Sequence, residues 1–282
     1  MRVGVGLPNT ISGVDGRSML EWARRAEAGP FTSLGVLDRI AYESFEPFIT
    51  LAAAAAATSR IGLVTMVVIG PLRSPVLLAK QAVSIDEISA GRLTLGLAVG
   101  ARQEDYRALG LDHRRRGEML TEQLVALKDH WEDRTHVPRA ASGQKEGPRV
   151  LVGGLSGEAF ARMARFADGY VHGGGPPRAF AGAASRARAA WTDFARPGRP
   201  LLWGQGYFAL GDAAVEEGAR YLRDYYAFTG PFAEKIAAAN LTTPQAIVDF
   251  VRGYEEAGCD ELVLLPTVAR LDQLDRLAEV LG

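Results

Sequence analysis

The sequence predicts a parallel (β/α)8 TIM barrel, an α/β fold occupying residues 1–282 as one domain. Three observations point there. Eight short apolar, β-branched runs alternate with longer segments of helical spacing. The first run leads into LPNTISGVDGRS, which lacks the G-x-G-x-x-G loop that opens a doubly wound dinucleotide-binding sheet. Glycines gather after the fourth, fifth and sixth runs, at the strand ends where a parallel barrel holds its ligand.

Taken in order, the strands are expected near Val3–Leu7, Leu34–Asp38, Ile61–Ile69, Leu93–Val99, Arg149–Gly153, Gly169–His172, Leu201–Leu210 and Glu261–Leu265. Between the second and third, the run Ala52–Ala57 has high helix propensity and suits a closely packed helix face. Ser74 and Pro75 place an N-cap and an N1 proline before the next helix, and SAGR closes it at Gly91. Residues 132–148, EDRTHVPRAASGQKEGP, form an insertion after the fourth helix, read as a lid or an excursion over the barrel mouth. A second long connection, residues 225–243, adds a helical segment after the seventh strand. Its Tyr and Phe residues wall a pocket, meet a second subunit, or simply pack.

Composition narrows the function classes. With 48% apolar residues the chain can bury a large core, and 32 basic against 33 acidic residues give a net charge of −1. That balance offers no attraction for nucleic acid or an anionic membrane, so a small-molecule substrate is expected. The apolar tract around Ala52–Ala57 is broken by Ser59 and Arg60, each half being too short to span a bilayer. One cysteine, Cys259, allows no internal disulfide and fits a reducing cytoplasm, and MRVGVGLPNT reads as a strand rather than an export signal.

No H-E-x-x-H, C-x-x-C, G-x-S-x-G or Walker loop occurs, so no metal is expected and a bound cofactor is the better source of chemistry. The stretch VLVGGLSGEAF, residues 150–160, passes from a strand through two glycines into a helix. Free N–H groups at such a turn form an anion site; equally, the turn is a tight connection with Ser156 as N-cap.

Three blocks carry a resemblance: ISAGRLTLGLAVGARQEDYRALG, RRGEMLTEQLVALKDHW and PRVLVGGLSGEAFARMARFADGYVHGG. Together, and through AGCDELVLLPT to the last helix, they resemble the bacterial luciferase-like family of flavin-dependent monooxygenases and coenzyme F420-dependent oxidoreductases. The resemblance implies a TIM barrel with the cofactor ring in its mouth. It implies a cofactor phosphate at Gly154, Leu155, Ser156, Gly157 and Glu158, with Gly153 before them as a further cofactor contact, although Glu158 suits an anion site only if its side chain turns outward. It also implies a bulged third strand behind the ring at Val67, Val68 and Ile69, a position where the family often carries a non-proline cis peptide. Gly100, Arg102 and Gly173 complete the expected cofactor contacts.

Where many members carry Asp-His after the second strand, this chain has Asp38-Arg39. Arginine is a poor proton shuttle but holds an anionic substrate or an oxyanion, so Asp38 and Arg39 are candidate catalytic residues. The alternative is that they form an ion pair with each other at the barrel rim. Of four histidines, His113 and His130 belong to helical stretches and His136 to the insertion, leaving His172, at the end of a strand, as the candidate acid or base. A histidine that lines the mouth without moving protons is the competing reading.

The function expected is that of a two-component monooxygenase using reduced FMN, with a separate flavin reductase and a homodimeric assembly. Coenzyme F420-dependent hydride transfer without oxygen is the first alternative, and a non-catalytic flavin-binding barrel the second.

Overall fold

The computed structural model describes residues 1–133 and 147–282. Its strands are β1 (Arg2–Gly6), β2 (Ser33–Val36), β3 (Gly62–Thr65), β4 (Val68–Ile69), β5 (Leu93–Ala98), β6 (Arg149–Gly153), β7 (Gly169–Val171), β8 (Leu201–Phe208) and β9 (Glu261–Pro266). All pair in parallel, in the order β3-β2-β1-β9-β8-β7-β6-β5-β4, and β3 also pairs with β5, which closes the sheet. Because β3 and β4 both lie against β5, they are two halves of one stave, and the barrel has eight.

The expected third strand is therefore interrupted, and the register shows how. Leu63 stands opposite Leu93, but Val68 stands opposite Leu97, so the stave carries one extra residue. A bulge of this kind bends a strand and re-aims its side chains. The Met66–Val67 peptide within it is cis. Thr65 bridges the gap: its hydroxyl accepts from Gly96 N–H at 2.8 Å and donates to Gly96 O at 2.7 Å. Gly96 permits this approach, since a Cβ there would overlap the Thr65 carbonyl.

Alternation along each strand separates two cores. Leu34, Leu63, Leu95, Val152, Leu202 and Leu262 face outward to the helices, while Val64, Leu151, Val171, Trp203, Val263 and Leu265 fill the barrel. Gly35 leaves room inside for Val263 and Met66.

The helices are α1 (Gly16–Ala28), α2 (Pro47–Ala57), α3 (Pro75–Ile88), α4 (Gln103–Ala108), α5 (Arg116–Asp133), α6 (Gly157–Phe166), α7 (Pro177–Asp193), α8 (Asp212–Tyr225), α9 (Phe232–Ala238), α10 (Pro244–Glu256) and α11 (Asp272–Leu281). Asp15 and Thr243 cap α1 and α10 through their side chains. Ser74 occupies the cap position of α3 but makes no capping bond; Pro75 at N1 starts that helix instead. Ala90 and Gly91, both at positive φ, turn the chain at its end. The extra helical segment after the seventh stave comprises a 3-10 turn, Ala227–Thr229, and α9.

The lid reading of residues 132–148 falls almost wholly on 134–146, outside the described residues. Its flanks, Glu132 and Gly147, border a cavity with Arg149, at the amino-terminal end of β6 and so opposite the mouth. No helix among the described residues is long and apolar enough to cross a membrane.

Candidate active site

At the carboxyl ends of the staves lies a cavity of about 190 Å3. One side is built from the bulge, Met66, Val67 and Ile69; the floor from Ala98, Gly153 and Gly173; the other side from Tyr225, Tyr226 and Phe228 of the segment after β8. The small residues leave a flat slot between an aliphatic and an aromatic wall. Val68 points the other way, into the outer core, and Gly100, at φ +69, stands behind Ile69, where a Cβ would press on its side chain.

Asp38 lines this slot but its carboxylate is already engaged. It accepts from Ile69 N–H at 2.9 Å and from both terminal nitrogens of Arg73 at 2.6 and 3.0 Å, and Arg73 also reaches Glu46 at 3.0 Å. Burial pushes the Asp38 carboxyl up, while Arg73 and the Ile69 N–H pull it back. The role this arrangement supplies is to pin the strand after the bulge.

The alternative, an ion pair between Asp38 and Arg39, is not formed, because Asp38 takes Arg73 and Arg39 turns to aromatic partners. The Arg39 guanidinium lies 3.8 Å from the centre of the Tyr42 ring and 5.0 Å from that of Tyr225, and its Nη1 donates to the Tyr225 carbonyl at 2.9 Å. Arg39 thus braces the aromatic wall from behind and is not among the residues lining the slot.

Arg102 does line it. Its guanidinium sits over Phe228 at 4.7 Å and Tyr225 at 5.5 Å, and 3.5 Å from the Asp105 carboxylate, with Nη1 buried and without a hydrogen-bond partner. Asp105 in turn accepts from the N–H groups of Ile40 and Ala41, fixing the loop after β2. Gln205 adds a second open valence: its Nε2 donates to Gly173 O at 3.1 Å, leaving Oε1 buried and unpaired. A donor and an acceptor are thus held ready in the slot for a ligand's polar edge.

His172 lies elsewhere. Val171 faces inward, so the next side chain faces outward, and the ring packs in the shell against Phe180, 3.2 Å from the Tyr170 hydroxyl. Burial depresses its pKa. The expectation that it fronts the mouth is corrected by the parity of the strand.

Past Gly153, the chain turns through Gly154, at φ +128, and Leu155 into α6, where Ser156 caps Ala159 N–H at 3.2 Å. This turn borders a groove of about 670 Å3 lined by Arg114, Arg116, Arg162 and Arg165. Arg162 is committed to Thr121 and Gly117 O, and Arg116 to His113 O. Glu158 is exposed; its own N–H and the Ser156 hydroxyl hold its carboxyl below the usual range. Gly154 borders both slot and groove, so the two lie side by side at this turn. The four arginines were not singled out in the sequence, although the run HRRRGE was visible. Among the described residues, no cluster of His, Cys, Asp or Glu could hold a metal.

Known proteins place this barrel. An uncharacterised protein of Mycobacterium tuberculosis is 30% identical over 187 residues, 55% of this chain and 65% of that one, so the match spans less than two thirds of that relative. The oxygenase component of a flavin-dependent trigonelline monooxygenase from Acinetobacter baylyi is 37% identical over 87 residues, 30% of this chain and 24% of that one. Among solved structures, a coenzyme F420-dependent secondary alcohol dehydrogenase shares the fold with a TM-score of 0.81 at 14% identity, over 99% of this chain and 97% of that one. The description of a luciferase-like monooxygenase matches residues 1–257, and with that span, the barrel and its bulged stave, the chain belongs to the luciferase-like monooxygenase family.

Proposed function

We propose that the chain is the oxygenase component of a two-component FMN-dependent monooxygenase acting on a small organic substrate. The observation that carries this reading is the adjacency at Gly154 of a flat slot and an arginine groove, which suits a planar ring in the one and a phosphate on its stalk in the other. The orphaned Arg102 Nη1 and Gln205 Oε1 fit the donor and acceptor edge of such a ring. Gly154, Leu155, Ser156 and Gly157, with Arg114 and Arg116, would hold the phosphate; Val67, Ile69, Gly153, Gly173 and Arg102 would hold the ring. When bound there, reduced FMN supplies the two electrons with which one atom of dioxygen enters the substrate and the other leaves as water.

The remaining work falls to the protein. Tyr225, Tyr226 and Phe228 exclude water from the slot, Arg39 braces that wall, and Asp38 fixes the bulge through the Ile69 N–H. The ionisable groups of the lining are Asp38, tied to Arg73, Arg102, and tyrosines whose hydroxyls burial pushes up. Such a lining suits sheltering a reactive intermediate better than exchanging protons with solvent. The trigonelline relative, named as an oxygenase component, supports a separate flavin reductase as partner.

A second copy of the chain is also proposed, against α2 and α3, where Ile49, Val76, Leu77 and Ile88 are 68%, 50%, 52% and 59% exposed. A second reading, coenzyme F420-dependent hydride transfer, has one observation in its favour: the groove is larger than a phosphate needs and offers Arg165 beyond it. A non-catalytic flavin carrier ranks below both. Oxygen uptake with a flavin reductase and NAD(P)H separates them. Substrate-dependent product under air and none under anoxia is expected; anoxic turnover would contradict the oxygenase reading.

A further inference from the structure

The opposite end of the barrel holds a further cavity. The registers Ser33 opposite Gly62, Thr94 opposite Arg149 and Trp203 opposite Glu261 bring these residues to the amino-terminal opening. With Arg2, Arg60 and Arg92 they line a space of about 250 Å3, kept open at Gly62 by the lack of a side chain.

This space is rich in donors and poor in acceptors. Trp203 Nε1 and Ser33 Oγ are buried there without a hydrogen-bond partner, in residues 3% and 2% exposed. An indole N–H can only donate. The one carboxylate of the lining, Glu261, is occupied by Arg2 at 3.0 Å and the Thr32 hydroxyl at 2.9 Å. Arg60 and Arg92 spend their hydrogen bonds on backbone carbonyls and, for Arg92, the Thr58 hydroxyl, and Arg149 stands exposed at the rim. Four guanidinium groups therefore surround one carboxylate and two idle donors. Glu27 beside Arg92 and Asp260 beside Arg2 offset part of this charge from outside the lining, whereas nothing answers the two donors; an oxyanion would accept from both and face the Arg149 guanidinium.

We infer that the amino-terminal floor of the barrel binds a small oxyanion of the phosphate class between Trp203, Ser33 and Arg149. This end of a parallel barrel serves stability rather than chemistry, so the ligand acts by favouring the folded state. The site is independent of the flavin reading.

Inorganic phosphate is the probe, against chloride at matched ionic strength. The chain has four tryptophans, whose indole N–H signals resolve in a nitrogen–proton correlation spectrum, and Trp203→Phe assigns the one at the floor. Phosphate is expected to shift the Trp203 signal saturably, and Arg149→Gln, an exposed change, to weaken that binding by about tenfold. Melting temperatures provide a second readout: a phosphate-specific rise in the wild type should shrink in Arg149→Gln. No saturable shift, a shift matched by chloride, or one that Arg149→Gln leaves unaltered overturns the site.

Discussion

Arg39 shows how one substitution at a family position changes a residue's work. Its guanidinium is held between two tyrosine faces and the Tyr225 carbonyl, so removing it frees the wall of the slot without touching the slot's floor. Arg39→Ala is expected to raise the substrate KM by about tenfold, the value of one charge-assisted hydrogen bond of roughly 1.5–2 kcal/mol, with flavin affinity unchanged. Arg39→Lys should recover little, since an ammonium cannot stack and bridge in the same geometry. Equal losses of flavin affinity and KM in both variants would place Arg39 on the cofactor instead. The sequence marked Asp38 and Arg39 as unusual but could not show their directions. That Asp38 faces Arg73, 35 residues along, is a tertiary fact without a local signal. The outward turn of His172, by contrast, follows from strand parity once Val171 is known to face inward.

At the scale of elements, the strand-six-to-helix turn offers a paired test. A Cβ on Gly154 meets the Ala159 side chain at 2.7 Å and would sit at φ +128, whereas one on Gly157 meets nothing within 4 Å. Gly154→Ala should therefore lower both melting temperature and flavin affinity, while Gly157→Val keeps the fold and weakens flavin binding alone by crowding the amides of α6. Undiminished flavin affinity in Gly157→Val would move the phosphate elsewhere.

The link from α1 to β3 gives a pH prediction. Burial opposes the charge on Glu27, yet the N–H groups of Ser59, Ile61 and Arg60 hold its carboxyl at about 2, below its ordinary 4.5. A depressed carboxyl contributes stability that is complete above its unfolded value and lost as the pH falls through the folded one. The stability difference between wild type and Glu27→Gln should be constant above pH 5 and shrink between 4.5 and 2. A difference independent of pH would show that the Glu27 carboxyl titrates alike in the folded and unfolded chain, and would contradict the hold of these N–H groups.

All eight staves were legible, because period-two apolar runs and glycine or proline stops are local signals. The bulge came only through the family resemblance, since in the Ile61–Ile69 run itself an extra residue shows only against the register of β5.

For the whole molecule, the two ends of the barrel differ in chemistry. The mouth carries an engaged Asp38, an aromatic wall and an arginine groove, and the other end a cationic floor. The central claim is that slot and groove together hold FMN. It is tested most directly by anaerobic calorimetric titration of the protein with reduced FMN and, in parallel, with reduced coenzyme F420, in the wild type and in Arg114→Gln. The account predicts saturable binding of reduced FMN, tighter than that of F420 and weakened by about tenfold in the variant, as the loss of one charge-assisted phosphate contact requires. Tight binding of F420 alone, or FMN affinity indifferent to Arg114, would contradict it.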